Sequence, residues 1–133
     1  MKKKQVSGFT LIELMIVLVI LGLLASLVAP KMFSKVGSTK IKTAVAQMQM
    51  FQTAIDTYRL DTGDYPANLN ELINSKKPNW DGPYLPKAIP NDPWGHPYQY
   101  TVPGENGQPF TIMSFGKDGQ AGGEGENADI IHK

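Results

Sequence analysis

The stretch that decides the fold is Met1-Lys2-Lys3-Lys4-Gln5-Val6-Ser7-Gly8-Phe9-Thr10-Leu11-Ile12-Glu13, which an apolar run continues as far as Pro30. A helix over 9–29, rising about 1.5 Å per residue, would just cross a bilayer core of roughly 30 Å. The only charge within the run is Glu13, close to its start. A carboxylate in such a segment is costly unless it is paired, so Glu13 needs an explanation.

The remaining chain bounds the kind of protein this is. About a hundred residues follow the apolar run, which is enough for one small domain with a modest core. The sequence contains no Cys, which excludes a disulfide or a thiolate metal site as additional stabilisation. The net charge of +1 gives no case for nucleic-acid binding. Three lysines before the run favour a cytoplasmic N-terminus, which puts the domain across the membrane.

Two ordinary interpretations of the N-terminal stretch are a secretory signal peptide and a plain signal anchor. A cleaved signal has an apolar region of roughly 7–15 residues and small residues at its cleavage site. This run is longer, and Pro30 directly follows the best candidate site, Leu27-Val28-Ala29, where it disfavours cleavage. A plain anchor fits the length but leaves Glu13 unexplained.

Helical periodicity resumes beyond the apolar run. Pro30 and Gly37 predict an interruption or a kink, and Ser38 or Thr39 suits the cap of a second half. The pattern predicts one long helix from Phe9 to about Arg59, ended by Asp61-Thr62-Gly63. Its soluble half has an apolar face with spacings of three and four, formed by Ile41, Val45, Met48, Phe51 or Gln52, Ile55 and Tyr58.

The rest of the chain predicts a small sheet and an anchored loop. Asn68 caps a short helix through Glu71. The segment from Lys76 to Pro97 is an irregular loop, held by large apolar side chains that are unlikely to stay in water. Strands over 98–102 and 110–115 form a hairpin. The predicted fold class is therefore α+β, a long helix packed on a small antiparallel sheet.

The motif Gly8-Phe9-Thr10-Leu11-Ile12-Glu13 resembles the processing site of type IV pilins and type II secretion pseudopilins. In that family a prepilin peptidase cuts after the Gly and methylates the new amino terminus. The resemblance implies a leader peptide over 1–8, cleavage after Gly8 and N-methylation of Phe9. It implies a transmembrane or filament-core helix over 9–30, and a periplasmic globular domain over 31–133 that includes the second half of the long helix.

The resemblance also gives Glu13 and Pro30 a place in assembly. After cleavage, Glu13 would lie one helical turn from the amine of Phe9, and could face its own amine or that of a neighbouring subunit. Charges at membrane depth persist when they are paired. A subunit that carries both partners can therefore require a neighbour in a fixed axial register.

Two further segments resemble the major pseudopilins of type II secretion. These are Tyr58-Arg59-Leu60-Asp61-Thr62-Gly63-Asp64-Tyr65-Pro66 and Pro90-Asn91-Asp92-Pro93-Trp94-Gly95. With the N-terminal motif and the C-terminal loop they cover nearly the whole chain. Adhesive pilins commonly close a C-terminal loop with a disulfide, so the absence of Cys agrees with the secretion branch. The implied fold is type IV pilin-like.

The segment from Ser114 to Ile130 places four carboxylates among five glycines. A solvated, flexible tail is the ordinary interpretation. Ca²⁺, however, prefers six to eight oxygen ligands that mix carboxylates with backbone carbonyls. In major pseudopilins the equivalent loop binds calcium, which implies Ca²⁺ here. The implied ligands are the Asp118 carboxylate, the Phe115 main-chain carbonyl and, on the far side of the loop, Glu126 and Asp129.

The resemblance implies a structural subunit, the major pseudopilin, which polymerises into the periplasmic pseudopilus of a type II secretion system and drives export of folded proteins across the outer membrane. Before assembly it would be a single-pass protein of the inner membrane. The implied partners are copies of itself, minor pseudopilins, the inner-membrane assembly platform, prepilin peptidase and membrane lipid, with no nucleic acid. The alternatives are a type IV pilin of an adhesion or motility pilus and a minor pseudopilin.

A membrane-anchored enzyme is the other functional class. The chain has two His, His96 and His132, and neither sits in a metal-binding or nucleophile motif. The serines lack a nucleophile elbow, and there is no phosphate-binding Gly-rich Lys motif. The sequence therefore predicts no enzymatic activity.

Overall fold

A computed structural model of the chain describes residues 7–132. The chain divides into two compact units between Val36 and Gly37. Helix α1 (Leu11–Thr62) forms most of the N-terminal unit, up to Val36, and continues into the globular unit that starts at Gly37. One long helix was predicted from 9 to about 59, and the structure confirms it with its ends shifted by two or three residues.

The predicted interruption at Pro30 and Gly37 is wrong. Helical backbone continues through both positions, and Ser38 and Thr39 lie inside α1 rather than capping a second helix. A proline removes one backbone hydrogen bond, but helix formation is cooperative, and the helix-forming residues on both sides keep theirs.

The N-terminal unit has an exposed apolar surface. Every described side chain from Phe9 to Val28 is exposed, including 86% of Phe9. Among the described residues α1 is the one helix long and apolar enough to cross a membrane, by length and composition. Apolar surface of this extent is covered in a working protein by lipid or by other subunits.

In the globular unit one face of α1 supplies half of the core. Met48, Phe51, Ile55 and Tyr58 are fully buried, as the periodicity predicts. Val45 was expected on this face but is 40% exposed, and Ala44 is buried in its place. The face is rotated by about one residue at its N-terminal end, where a small side chain suffices for close packing. The other half of the core comes from Leu69, Leu72, Leu85, Tyr98, Phe110 and Ile112.

The end of α1 and the short helix after it agree with the prediction. Gly63 donates its N–H to the carbonyl of Arg59 at 2.8 Å and ends α1. A 3₁₀ helix follows at Leu69–Leu72, and the Asn68 side chain accepts a hydrogen bond from the N–H of Glu71 at 3.2 Å. That cap satisfies one of the backbone donors left free at a helix start.

The sheet has three antiparallel strands in the order β1 (Gln99–Thr101), β2 (Thr111–Ser114) and β3 (Ile130–Ile131). The predicted hairpin of β1 and β2 is confirmed with shorter strands, and a 3₁₀ helix at Glu105–Gly107 lies in its connection. Strand β3 was not predicted. It has two residues, too few to show a period-two pattern, and exists because Ile130 pairs with Ser114 of β2.

The segment from 76 to 97 is irregular but anchored, as predicted. The indole N–H of Trp80 donates to the carbonyl of Glu71 at 2.9 Å, and the Tyr84 hydroxyl donates to Asp61 at 2.8 Å. Leu85 is 4% exposed. Side-chain hydrogen bonds and packing thus hold a segment that contains neither helix nor strand.

Candidate processing, assembly and metal sites

The start of α1 is fixed by Thr10. Its hydroxyl oxygen accepts the N–H of Glu13 at 3.2 Å, and its carbonyl accepts the N–H of Leu14 at 3.1 Å. Thr10-Leu11-Ile12-Glu13 has the Thr-x-x-Glu spacing of a capping box, of which the structure forms the bond from the Glu13 N–H to the Thr10 hydroxyl. This cap was not predicted from the sequence. Glu13 also lies in the first turn of α1, where the helix macrodipole favours a negative charge.

The predicted cleavage site lies just outside α1. Gly8 and Phe9 precede the helix, and both are exposed. Apart from its chain neighbours, no described residue lies within 4 Å of the position of a Cβ on Gly8. A peptide bond outside a helix and open to solvent is accessible to a peptidase. Residues 1–6 of the predicted leader, and Lys133, lie outside the described residues. Pro30, predicted to act in assembly, is part of the α1 backbone.

The acidic segment forms a loop closed at both ends on β2. It leaves the strand after Ser114 and returns at Ile130, the residue paired with Ser114. Inside the loop, the N–H of Lys117 donates to the carbonyl of Glu126 at 2.9 Å. We call the part of the loop that follows Ser114 the outgoing arm and the part that leads to Ile130 the returning arm. A 3₁₀ helix at Gly125–Asn127 forms part of the returning arm.

Among the described residues, one carboxylate oxygen of Asp129 has no partner. Its Oδ2 accepts the N–H of Gly122 at 3.0 Å, whereas its Oδ1 is buried and accepts no hydrogen bond. A buried, unpaired carboxylate oxygen carries a desolvation cost that no group among residues 7–132 offsets. A cation beside Oδ1 would remove that cost.

Asp118 and Glu126 line one open cavity of about 500 Å³, together with Lys117 and Asn127. Asp118 is exposed, and its Oδ1 accepts the N–H of Gln120 at 3.1 Å. Glu126 has other partners. Its Oε2 lies 3.5 Å from Nζ of Lys117, and its side chain fills the space that a Cβ on Gly37 of α1 would occupy.

Within residues 7–132 no group of three or more acidic, His or Cys side chains comes together as a metal site. Asp118, Glu126 and Asp129 therefore do not form a single carboxylate cluster, and a cation in this loop would need main-chain carbonyls as well. Phe115, the predicted carbonyl ligand, is half-buried at the point where β2 gives way to the loop. The ligand set remains a prediction.

A buried carboxylate outside the predicted site contacts the start of this loop. Asp92 is 4% exposed, and its Oδ1 accepts the N–H groups of Trp94 at 3.1 Å and His96 at 2.9 Å. Its Oδ2 accepts the Ser114 hydroxyl at 2.7 Å. This network was not predicted from the sequence. The residues Asn91-Asp92-Pro93 indicate a turn in the sequence. No local pattern indicates that Asp92 bonds to Ser114, which lies 22 positions away.

Comparison with known proteins decides the family. The sequence profile described as "Type II secretion system (T2SS), protein G" matches residues 31–133, and the profile described as "Prokaryotic N-terminal methylation motif" matches residues 3–29. The chain belongs to the type II secretion system protein G family. The two matches together confirm the resemblance drawn from the N-terminal motif and the C-terminal segments.

Relatives in this family match the chain along almost their whole length. It is 43% identical to the type II secretion system core protein G of Pseudomonas aeruginosa, over 98% of this chain and 96% of that protein. It is 40% identical to the protein of the same description from Vibrio cholerae, over 97% and 92%. The solved major pseudopilin of the type 2 secretion system of enterohaemorrhagic Escherichia coli superposes with a TM-score of 0.58 at 27% identity, over 71% of this chain and 86% of that one.

These findings confirm the predicted fold class and the principal functional prediction. The chain is a major pseudopilin of type II secretion, a structural subunit and not an enzyme. The methylation motif and the exposed apolar helix fit a membrane-anchored protein that assembles into a pseudopilus.

Proposed function

We propose that this pseudopilin spans the inner membrane once, with its globular unit in the periplasm, and is cut by prepilin peptidase between Gly8 and Phe9. The processed subunit polymerises with copies of itself into a periplasmic pseudopilus that drives folded proteins across the outer membrane. Minor pseudopilins and the inner-membrane assembly platform are its other partners, and lipid covers its apolar helix before assembly. The accessible Gly8–Phe9 bond and the match to the methylation motif support this route.

Glu13 carries the assembly part of the proposal. It is the only charge in the apolar run. The side chains of this run are exposed from Phe9 to Val28. The Thr10 cap engages the backbone N–H of Glu13 and not its carboxylate. Cleavage would create a cationic amine four residues away, so the carboxylate would pair with that amine in its own subunit or in a neighbour. This pairing would set the axial register of the filament.

The test is Glu13→Gln, which keeps the shape of the side chain and removes its charge. Ser26→Ala is the matched control, because Ser26 lies in the same run and bonds only locally, to the Leu23 carbonyl at 2.7 Å. Glu13→Gln should be processed and membrane-inserted but fail to form filaments and to secrete. Mass spectrometry of the N-terminus, sheared-filament yield and secretion are measured. Normal filaments and secretion in the Glu13→Gln strain would refute the register role.

We also propose that the loop between β2 and β3 binds Ca²⁺. The unpaired Oδ1 of Asp129 and the position of Asp118 on an open cavity fit an oxygen-ligated cation. The Phe115 carbonyl and Glu126 complete the predicted ligand set. When bound, calcium would neutralise the loop carboxylates and join its two arms. Binding only the folded form at 100 times Kd would add about 2.7 kcal/mol of stability.

Calcium binding is tested by thermal melting of the chain in EDTA and in excess Ca²⁺. Chelation should lower the melting temperature and calcium should restore it, with the restoration lost in Asp129→Asn and kept in Glu124→Gln, an exposed acid of the same loop. Glu126→Gln tests whether Glu126 binds calcium or only packs on Gly37. If Glu126 is a ligand, this variant loses the calcium-induced rise in melting temperature, and if Glu126 only packs on Gly37, the rise is kept. Identical melting curves in EDTA and Ca²⁺ would remove the calcium proposal.

A further inference from the structure

We propose that Asp92 is a positioning residue for calcium binding, which holds the start of the C-terminal loop through Ser114 and His96. The proposal rests on the calcium function proposed above. Asp92 lies in the irregular segment before β1, outside the loop and outside the predicted ligand set. Its contacts nevertheless reach the residues on both sides of Asp118.

The hydrogen bonds at the Asp92 side chain all point towards its carboxylate oxygens. An ionised carboxylate can only accept, and both of its oxygens are engaged: Oδ1 by the N–H groups of Trp94 and His96, and Oδ2 by the Ser114 hydroxyl. A buried carboxylate persists only when donors replace water in this way. The Ser114 hydroxyl is therefore fixed as a donor towards Asp92.

Ser114 connects Asp92 to the loop. With its proton directed to Asp92, the Ser114 oxygen presents lone pairs to the N–H of Gly116, which it accepts at 3.1 Å. Gly116 has a φ of +76°, and a Cβ there would lie 2.6 Å from the Glu126 carbonyl oxygen and 2.8 Å from that of Ala128. The relay from Asp92 thus ends where the outgoing and returning arms of the loop touch.

His96, whose backbone N–H donates to Asp92, contacts the loop at a second place. Its Nε2 lies 3.3 Å from the carbonyl oxygen of Lys117. Its ring lies against Gly119, where three ring atoms would be 3.0–3.1 Å from a Cβ. Lys117 and Gly119 are the chain neighbours of Asp118. The segment 92–96 therefore holds the loop immediately before and immediately after a predicted calcium ligand.

These contacts require a residue at position 92 that accepts hydrogen bonds at both of its side-chain oxygens. Asn in place of Asp92 keeps the shape but replaces one acceptor oxygen with an NH₂ group, which cannot accept from the Ser114 hydroxyl. The hydroxyl then loses the partner that orients it towards Gly116. Outer groups that orient metal ligands typically change metal affinity by about 10–100-fold when they are altered.

The experiment uses the full chain in detergent micelles, stripped with EDTA and titrated with CaCl₂ by calorimetry. Melting in EDTA and in Ca²⁺ is followed in parallel. The variants are Asp92→Asn and Ser114→Ala, and the control is Asp81→Asn, an exposed Asp of the same irregular segment. Asp92→Asn and Ser114→Ala should raise the Kd for Ca²⁺ by about 10–100-fold and shrink the calcium-induced rise in melting temperature. Asp81→Asn should match the wild type in both.

The outcomes separate this proposal from the calcium proposal. If the wild type takes up no calcium, the calcium function fails and this inference fails with it. If the wild type binds and folded Asp92→Asn binds with the same Kd, the positioning role is overturned, even if that variant melts earlier in EDTA, because Asp92 would then act on stability alone. If Asp92→Asn does not fold, Ser114→Ala decides, and an unchanged Kd in that variant overturns the proposal.

Discussion

Two glycines of the C-terminal loop provide a test of how tightly its two arms pack. Gly116 and Gly122 have φ values of +76° and +84°, so alanine is strained at either position. They differ in their surroundings. A Cβ on Gly116 would collide with the carbonyl oxygens of Glu126 and Ala128, whereas one on Gly122 would find nothing within 4 Å. Gly122→Ala therefore measures backbone strain alone, and Gly116→Ala measures strain plus collision.

The expected magnitudes follow from these two contributions. An alanine in the left-handed region costs about 1–2 kcal/mol, which is the expected loss in unfolding free energy for Gly122→Ala. Forcing extra volume against packed backbone adds about 1–3 kcal/mol, so Gly116→Ala should lose about 2–5 kcal/mol. The difference between the variants, about 1–3 kcal/mol, is the cost of separating the two arms.

The assay is urea unfolding of the full chain in detergent with EDTA present, so that no metal compensates for the substitution. Fluorescence reports on the globular unit alone, because the chain has two tryptophans, Trp80 and Trp94, and both lie in that unit. Equal losses for Gly116→Ala and Gly122→Ala would refute the packing of the outgoing arm against the returning arm.

Three further predictions concern the globular unit. Burial, reinforced by the charge of Asp92, raises the pKa of Tyr98 above its usual value of 10. The stability contributed by the neutral phenol is therefore complete below about pH 10 and is lost as the pH rises from there towards the folded pKa. Between pH 8 and 11, the unfolding free energy should fall less steeply in Tyr98→Phe than in the wild type. Gly37→Ala must displace the Glu126 side chain. The gain in unfolding free energy from better helix propensity, about 0.5–1 kcal/mol, should therefore appear only when Gly37→Ala is combined with Glu126→Ala. A Gly37→Ala variant as stable as the double variant would contradict the contact between Glu126 and Gly37. Asn68→Ala removes the cap on Glu71 and should lower the unfolding free energy by about 1 kcal/mol, seen as a lower urea midpoint with an unchanged slope.

The parts of the fold that sequence alone predicted are those specified by local chemistry. The buried face of α1, the Asn68 cap and the β1–β2 hairpin each depend on residues a few positions apart, so their patterns are visible in the sequence. The continuity of α1 through Pro30 depends on the cooperativity of the residues around it, which a rule for a single residue does not include. The structure buries Ala44 rather than Val45, which amounts to a rotation of the buried face by about one residue. Apolar spacings of three and four do not define the direction of that face so finely.

The candidate site divides in the same way. The N-terminal motif and the Gly-rich acidic loop are contiguous, and both were recognised. The Asp92–Ser114 pair and the packing of Glu126 on Gly37 join residues far apart in sequence, and they exist only once the sheet has formed. Asp118 and Glu126 were both predicted as calcium ligands, Asp118 by its position and Glu126 as a candidate on the far side of the loop. Only their partners, Lys117 and Gly37 for one and Gln120 for the other, distinguish them.

The direct pairing of Ser114 with Ile130 has a consequence for how this family can diverge. Because the loop begins and ends on paired residues of adjacent strands, its length is independent of the register of the sheet and of the core below it. Closing a flexible loop twice as long costs only about 0.6 kcal/mol more. Insertions and deletions between these two residues, away from the contacts that hold Gly116 and Glu126, therefore cost little closure entropy. The chemistry of the loop can change there while the rest of the subunit keeps its shape.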